Sequence, residues 1–302
     1  MSSSAAGAAR SFLFAPGSRP KLLQRAFEAG ADAVVLDLED SVPEREKEAA
    51  REAVAACLSE LAGQSPVEVH VRVNGVQTGR TQEDIAAVVL PGVSAIRLPK
   101  AERADDVGEV SGWIAQAERR QGLSPGSVRL DLTIETAQGV AGARELASCD
   151  ARVGLLVFGQ ADFLADVGAE LGKDRLETLY ARSELVIASR LAGLMQPVEG
   201  AHTRLRDPEG LEAAALAARR LGFFGMSAIH PEQIPVIHAV FTPSAEEVQR
   251  ARELLAAYQA AEAQGSGALR MADSRFVDRP VALRSMRIVA LAEREKEGHR
   301  TP

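Results

Sequence analysis

Cysteine is scarce in this chain: Cys57 and Cys149 are the only two among 302 residues, and they lack any metal-type spacing. That excludes a disulfide framework, and both read as ordinary free thiols, one within a helical segment and one within a loop. No stretch reaches the roughly 18 uninterrupted apolar residues of a membrane-spanning helix. The start at Met1-Ser2-Ser3-Ser4 has neither the basic region nor the apolar segment of a signal peptide. The expectation is a cytoplasmic protein with no membrane partner. An excess of positive charge is also missing: the net charge is −7 and basic residues are scattered among acidic ones. This argues against a phosphate-backbone surface and a nucleic-acid partner. GxGxxG, a Walker loop, HExxH and a Ser-His-Asp order are absent too, which disfavours dinucleotide chemistry, P-loop hydrolysis and zinc proteolysis.

What the chain does have is a rhythm. Short apolar β-type runs recur, and most end on a charged or polar residue. Residues 11–14 lead into Pro16-Gly17-Ser18-Arg19, 33–36 into Asp37-Leu38-Glu39-Asp40, 67–71 into Arg72-Val73-Asn74, and 95–98 into Pro99-Lys100. Residues 130–134 are followed by Glu135, 153–158 by Gly159-Gln160-Ala161-Asp162, 195–198 by Glu199, and 226–229 by His230-Pro231. Helical patterns fill most of the gaps. Eight βα units of this kind predict an α/β fold, a (β/α)8 TIM barrel whose strand ends deliver chemistry to one face. The 46% apolar content supports a core of that size.

Residues 1–9 are small and polar and are expected to be disordered, with the barrel at 10–263. The clearest helices are 44–61, which opens with acidic residues and is followed by Gly63, and 244–263, which opens with a serine cap and acids in its first turn. Gln264-Gly265-Ser266-Gly267 reads as a flexible break. Beyond it, 264–302 forms a short C-terminal lid or appendage with a helical pattern at 281–297.

Glu135 and Asp162 end successive strands, so their carboxylates would project at one rim. Two carboxylates with further positions open to water and substrate suit Mg²⁺, a hard ion with oxygen ligands; capping or ion pairing is the plain alternative. Arg72 reads as the one arginine at a strand end within an apolar strand, where a guanidinium can clamp a carboxylate and meet developing negative charge. Asp37, Glu39 and Asp40 crowd one segment, and period-2 geometry sends Asp37 and Glu39 to one side. From there Glu39 could serve catalysis by orienting Arg72 or a metal-bound water, or form a salt bridge, while Asp40 could cap the following helix. Arg19, Lys21 and Arg25 surround the helix after the Pro16-Gly17 turn and could hold the phosphates of a nucleotide-like cofactor, or be ordinary exposed charges. His230 before Pro231 admits an acid/base or a structural reading.

These segments together, with Leu98-Pro99-Lys100, Ile134-Glu135-Thr136 and Ala228-Ile229-His230-Pro231-Glu232-Gln233, resemble the CitE-like branch of the HpcH/HpaI aldolase family, from residue 11 to about 260 in order. The resemblance implies a Mg²⁺-dependent barrel that cleaves or forms a C–C bond in citryl-, malyl- or citramalyl-CoA thioesters, giving acetyl-CoA and a 2-keto acid. By position it makes Glu135 and Asp162 the metal ligands, with Glu135 also beside the substrate. Arg72 becomes the substrate-carboxylate arginine, and Arg19 and Arg25 the CoA-side positions. Ser274-Arg275-Phe276-Val277-Asp278-Arg279-Pro280 resembles the lid of the malyl-CoA and citramalyl-CoA lyase branches, which implies that Asp278 acts as acid/base in a neighbouring subunit of a homo-oligomer, a trimer. Met226 and Glu199 depart from the lysine and aspartate common at those positions. The competing functions are a class II pyruvate aldolase on free acids, a thioesterase-type or condensing activity at the same site, and a non-catalytic subunit of a lyase complex.

Overall fold

Strands whose residues are apolar on both faces have no side to show water and must be covered on both. The computed structural model describes residues 9–61, 67–271 and 275–298. Its strands are β1 (Ser11–Pro16), β2 (Ala33–Asp37), β3 (Glu68–Arg72), β4 (Ala95–Leu98), β5 (Arg129–Ile134), β6 (Val153–Phe158), β7 (Val198–Glu199) and β8 (Gly225–Ala228). They close in sequence order into one parallel barrel, with β8 pairing back onto β1. Helices fill the connections, so the fold is the expected (β/α)8 barrel. β7 is the shortest strand, because Pro197 at its start has no amide hydrogen for the ladder, although its carbonyl still accepts from Phe224 N at 3.0 Å.

Alternation along the strands builds two interiors. Outward residues such as Leu13, Val34, Leu36, Val69, Val71, Ile96, Leu98, Leu130 and Leu132 pack under the helices as the main core. The inner face is split. Phe12, Ala33, Val35, Leu155, Val157 and Val198 make one apolar wall with Phe14 against it. On β3, β4 and β5 the inward positions carry charge instead: Glu68, His70 and Arg72, then Arg97, then Arg129 and Asp131.

The chain forms two compact units, Ala9–Phe241 and the chain from Thr242 onward. Within the second, Ala245–Ala263 starts with a full capping box between Ser244 and Glu247 and packs with the helix Arg279–Gly298. The sequence reading had counted Ala245–Ala263 with the barrel. The expected break at 264–267 is a turn with Gly265 at φ +81°, and it leads into a hairpin of β9 (Ala268–Arg270) and β10 (Phe276–Asp278). Tyr258, Val277 and Ala282 form the core of this unit. Of the expected N-terminal tail, residues 1–8 lie outside the described residues, as does Ser274 of the lid segment, whereas Ala9 is buried. Among the described residues no helix is long and apolar enough to cross a membrane.

Candidate active site

The ends of β2 and β3 are in register, with Asp37 opposite Arg72. Adjacency becomes a bidentate clamp: Arg72 Nε and Nη2 each donate to an Asp37 carboxylate oxygen at 2.7 Å. Arg72 Nη1 lies 2.8 Å from Glu39 Oε2, so Asp37 and Glu39 share one environment as the period-2 reading required. The ring of Phe14 stacks under the guanidinium at 4.9 Å. Burial pushes the Asp37 carboxyl up, but the charge and hydrogen bonds of Arg72, with hydrogen bonds from Ser41 and Glu39, together outweigh it and hold the group below its ordinary range. Glu39 moves the other way, because burial outweighs Arg72 and Lys100.

Lys100, after β4, ties the rim together. Its Nζ donates to Glu39 Oε1 at 2.6 Å and lies 3.6 Å from Asp40 and 3.9 Å from Asp162. Its backbone N–H donates to Glu135 Oε1 at 2.8 Å. To aim amide and side chain at different carboxylates, Lys100 adopts φ +49°, a left-handed conformation unusual for a residue with a Cβ. Glu135 is buried at the end of β5 and lies against the end of β6, where a Cβ on Gly159 would come within 2.2 Å of Glu135 Oε2. Glycine is what lets the carboxylate lie there. Burial, then the nearby Asp162 and Glu39 carboxylates, push Glu135 up to about 8. Asp162 sits in the first turn of the helix Gln160–Asp166, partly open to solvent.

The structure therefore brings together Glu39, Arg72, Glu135 and Asp162, four of the residues singled out from sequence. Five carboxylates (Asp37, Glu39, Asp40, Glu135, Asp162) face two cations (Arg72, Lys100), a surplus of negative charge whose hard oxygen donors fit a divalent cation. No ready-made cluster of three or more His, Cys, Asp or Glu ligands occurs among the described residues, so water or substrate oxygens would have to complete the coordination shell. Arg19 and Arg25 are exposed on the loop and helix after β1. Asp278 belongs to the second unit, where its Oδ1 accepts from Val281 N at 3.3 Å at the start of the last helix. His230 Nδ1 accepts from Glu232 N at 3.3 Å and caps a short turn. Glu199 is buried in an ion pair with Arg182, whose Nε donates to it at 2.8 Å.

Two features escaped the sequence reading. Lys100 stood in a quoted motif without a role. Arg72 is also not the sole arginine in an apolar strand: Arg97, in register with it on β4, is fully buried with its guanidinium 5.0 Å from the ring of Phe12 and 5.6 Å from that of Phe14. Burial lowers Arg97 to about 10 despite the countercharge of Asp131. Alternation within Ala95-Ile96-Arg97-Leu98 was the available signal, since it places Arg97 opposite the apolar Ile96 and Leu98.

The HpcH/HpaI aldolase/citrate lyase family model matches residues 10–231. The citrate lyase subunit beta of Leuconostoc mesenteroides subsp. cremoris is 36% identical over 94% of this chain and 93% of its own length. The mitochondrial citramalyl-CoA lyase of Mus musculus is 33% identical over 95% of this chain and 87% of its own. Among solved structures, CitE from Mycobacterium tuberculosis in complex with magnesium, acetoacetate and coenzyme A is 30% identical, with a TM-score of 0.74 over 95% of this chain and 99% of that one. By sequence and by fold, the chain belongs to the HpcH/HpaI aldolase/citrate lyase family and is a carbon–carbon lyase.

Proposed function

We propose that this lyase acts on a β-hydroxyacyl-CoA thioester of the citryl-, malyl- or citramalyl-CoA type, by Mg²⁺-dependent retro-aldol chemistry. The observation that carries this reading is the surplus of carboxylate at the rim directly beside a clamped arginine. Glu135 and Asp162 would hold the ion, which when bound supplies Lewis acidity to a β-hydroxyl and its adjacent carboxylate.

Arg72, held through Nε and Nη2 by Asp37 and through Nη1 by Glu39, meets the negative charge that develops as the bond to the keto acid breaks. Glu39 acts by keeping Arg72 and Lys100 in place and not as the proton acceptor, since both its oxygens already face cations. Arg19 and Arg25 supply positive charge for the phosphates of the CoA portion. Asp278 of a neighbouring subunit exchanges a proton with the thioester carbon, and closure of the C-terminal unit excludes water. The protein works as a homo-oligomer, a trimer, with its site shared between subunits.

The similarity to proteins named as a citrate lyase subunit supports a second reading, in which the same barrel serves as one subunit of a larger lyase. Citryl-, malyl- and citramalyl-CoA supplied with Mg²⁺ to the isolated protein, with products identified by mass spectrometry, test both. Acetyl-CoA with a matching 2-keto acid is the expected result. Turnover of free hydroxy-keto acids without CoA would replace the reading with a pyruvate aldolase. Inactivity on every thioester until partner subunits are added would leave the subunit reading.

A further inference from the structure

The rim holds two cations of unlike mobility. Arg72 is committed along its whole fork: Nε and Nη2 donate to Asp37 at 2.7 Å, and Nη1 lies 2.8 Å from Glu39. A planar group clamped in this way cannot move without breaking several contacts at once. Lys100 is a point charge on a flexible four-carbon stem, and its side chain is 29% exposed. Its ammonium sits among three carboxylates, 2.6 Å from Glu39, 3.6 Å from Asp40 and 3.9 Å from Asp162. Of the two rim cations, Lys100 is the one that can yield.

Asp162 is one of the two carboxylates read above as metal ligands. A divalent cation on that carboxylate and an ammonium 3.9 Å from it would be like charges a few ångströms apart, and their repulsion is strong wherever water screens poorly. The structure also gives the ammonium somewhere to go. Asp40 is the most open of its three partners, with 58% of its side chain exposed against 39% for Asp162 and 7% for Glu39. Glu39 is held by Arg72, so the ammonium can leave Asp162 for Asp40 without losing Glu39. The backbone of Lys100 has a separate duty. Its N–H donates to Glu135 Oε1 at 2.8 Å, and its φ of +49° aims amide and side chain at different carboxylates. Movement of the stem therefore leaves Glu135, the other ligand, where it is.

We propose that Lys100 is the resident counter-cation of the rim, whose ammonium gives way from Asp162 when a divalent cation binds, so that this side chain sets how tightly the ion is held. The proposal rests on the reading of Glu135 and Asp162 as metal ligands. Isothermal titration of Mg²⁺ into the full-length protein and into Lys100→Met tests it. Methionine keeps an unbranched stem and the backbone N–H to Glu135 but removes the charge. Mg²⁺ should then bind at least about tenfold more tightly, since the ion no longer competes with a charge at the same carboxylate. A lysine that only holds the rim in shape predicts the opposite sign.

In the parent protein, acetylation followed by mass spectrometry should modify Lys100 at least about threefold faster with saturating Mg²⁺ than without, as the released ammonium becomes more populated. The exposed Lys173 should label at one rate in both conditions. This second measurement decides the matter if Lys100→Met does not fold. Equal or weaker Mg²⁺ binding by a folded Lys100→Met, or Lys100 labelling indifferent to Mg²⁺, would overturn the proposal and leave the metal site standing. A parent protein that takes up no Mg²⁺ would instead overturn the reading of Glu135 and Asp162, and this proposal with it.

Discussion

In the depth of the barrel Glu68 and Asp131 are matched by Arg129 and Arg97, with His70 bridging the two carboxylates at 3.2 and 2.8 Å. At the rim above, five carboxylates face two cations. β3, β4 and β5 supply the lower layer, and the ends of β2 and β6 join theirs at the rim. Below, the charges balance in number, although the Arg97 guanidinium makes no hydrogen bond among the described residues and feels Asp131 only through space; removing one member of such a buried set leaves an uncompensated charge at a cost of several kcal/mol. Above, the imbalance remains and shows in Glu135, which holds its proton to about 8. A surplus that costs stability where Lys100 and Asp162 are partly open to solvent is what a site poised for a cation requires. The lower layer is balanced in charge, and the upper one is left to be completed by what binds.

The sharpest way to break this comparison is to remove the surplus. Glu135→Gln and Asp162→Asn should each abolish Mg²⁺-dependent turnover, a loss of about a thousandfold or more, with the fold intact. Isothermal titration should show the divalent-ion affinity falling in parallel, and full activity in either variant would remove the metal assignment. Next in size is Arg72→Lys, which keeps charge but loses the planar fork on Asp37. It should lower the rate by roughly 10²–10³, the scale of a lost donor to transition-state charge. Near-normal kinetics would return Arg72 to a structural role.

The lower layer should respond in the opposite sense. Asp131→Asn keeps the shape but strips the countercharge from Arg97, and thermal melts should show a destabilisation of about 3 kcal/mol. Its divalent-ion affinity should stay within about twofold of the parent protein. A large loss of affinity in this variant would mean that the two layers are one electrostatic unit and that the contrast between them is false.

Much of this was legible in the sequence because parallel barrel strands, buried on both faces, stand out as unbroken apolar runs, and because barrel chemistry collects where such runs end. Arg72, Glu39, Glu135 and Asp162 were singled out by their positions at strand ends, and the structure brings them to one rim. The lower layer was hidden by the same signal: His70, Arg97 and Asp131 lie inside runs that looked apolar, and only strict alternation would have exposed them. Lys100 follows a proline, and its importance rests on a left-handed backbone angle with no mark in residue type.

The smallest effect expected is also the one that reads the surplus most directly. Glu135 is raised from an ordinary 4.5 to about 8 in the folded protein, so the native state binds this proton more tightly than the unfolded chain does. By linkage, the stability this group contributes is fully present below about pH 4.5, is lost as pH rises toward about 8, and is constant above that. Asp37 and Asp131, held below their ordinary range, work in the opposite direction, but only in strong acid. Thermal melts without divalent ions should therefore drift downward by about a few degrees between pH 5 and pH 8. Saturating Mg²⁺ should cancel the drift, because an ion on the carboxylate replaces the proton, and stabilisation by Mg²⁺ should accordingly grow with pH. Glu135→Gln has no proton to lose, so its melting temperature should be flatter across the same range and nearly insensitive to Mg²⁺. A parent protein whose melting temperature is level from pH 5 to pH 8, or whose response to Mg²⁺ does not change with pH, would show that the rim carries no unpaid charge at Glu135.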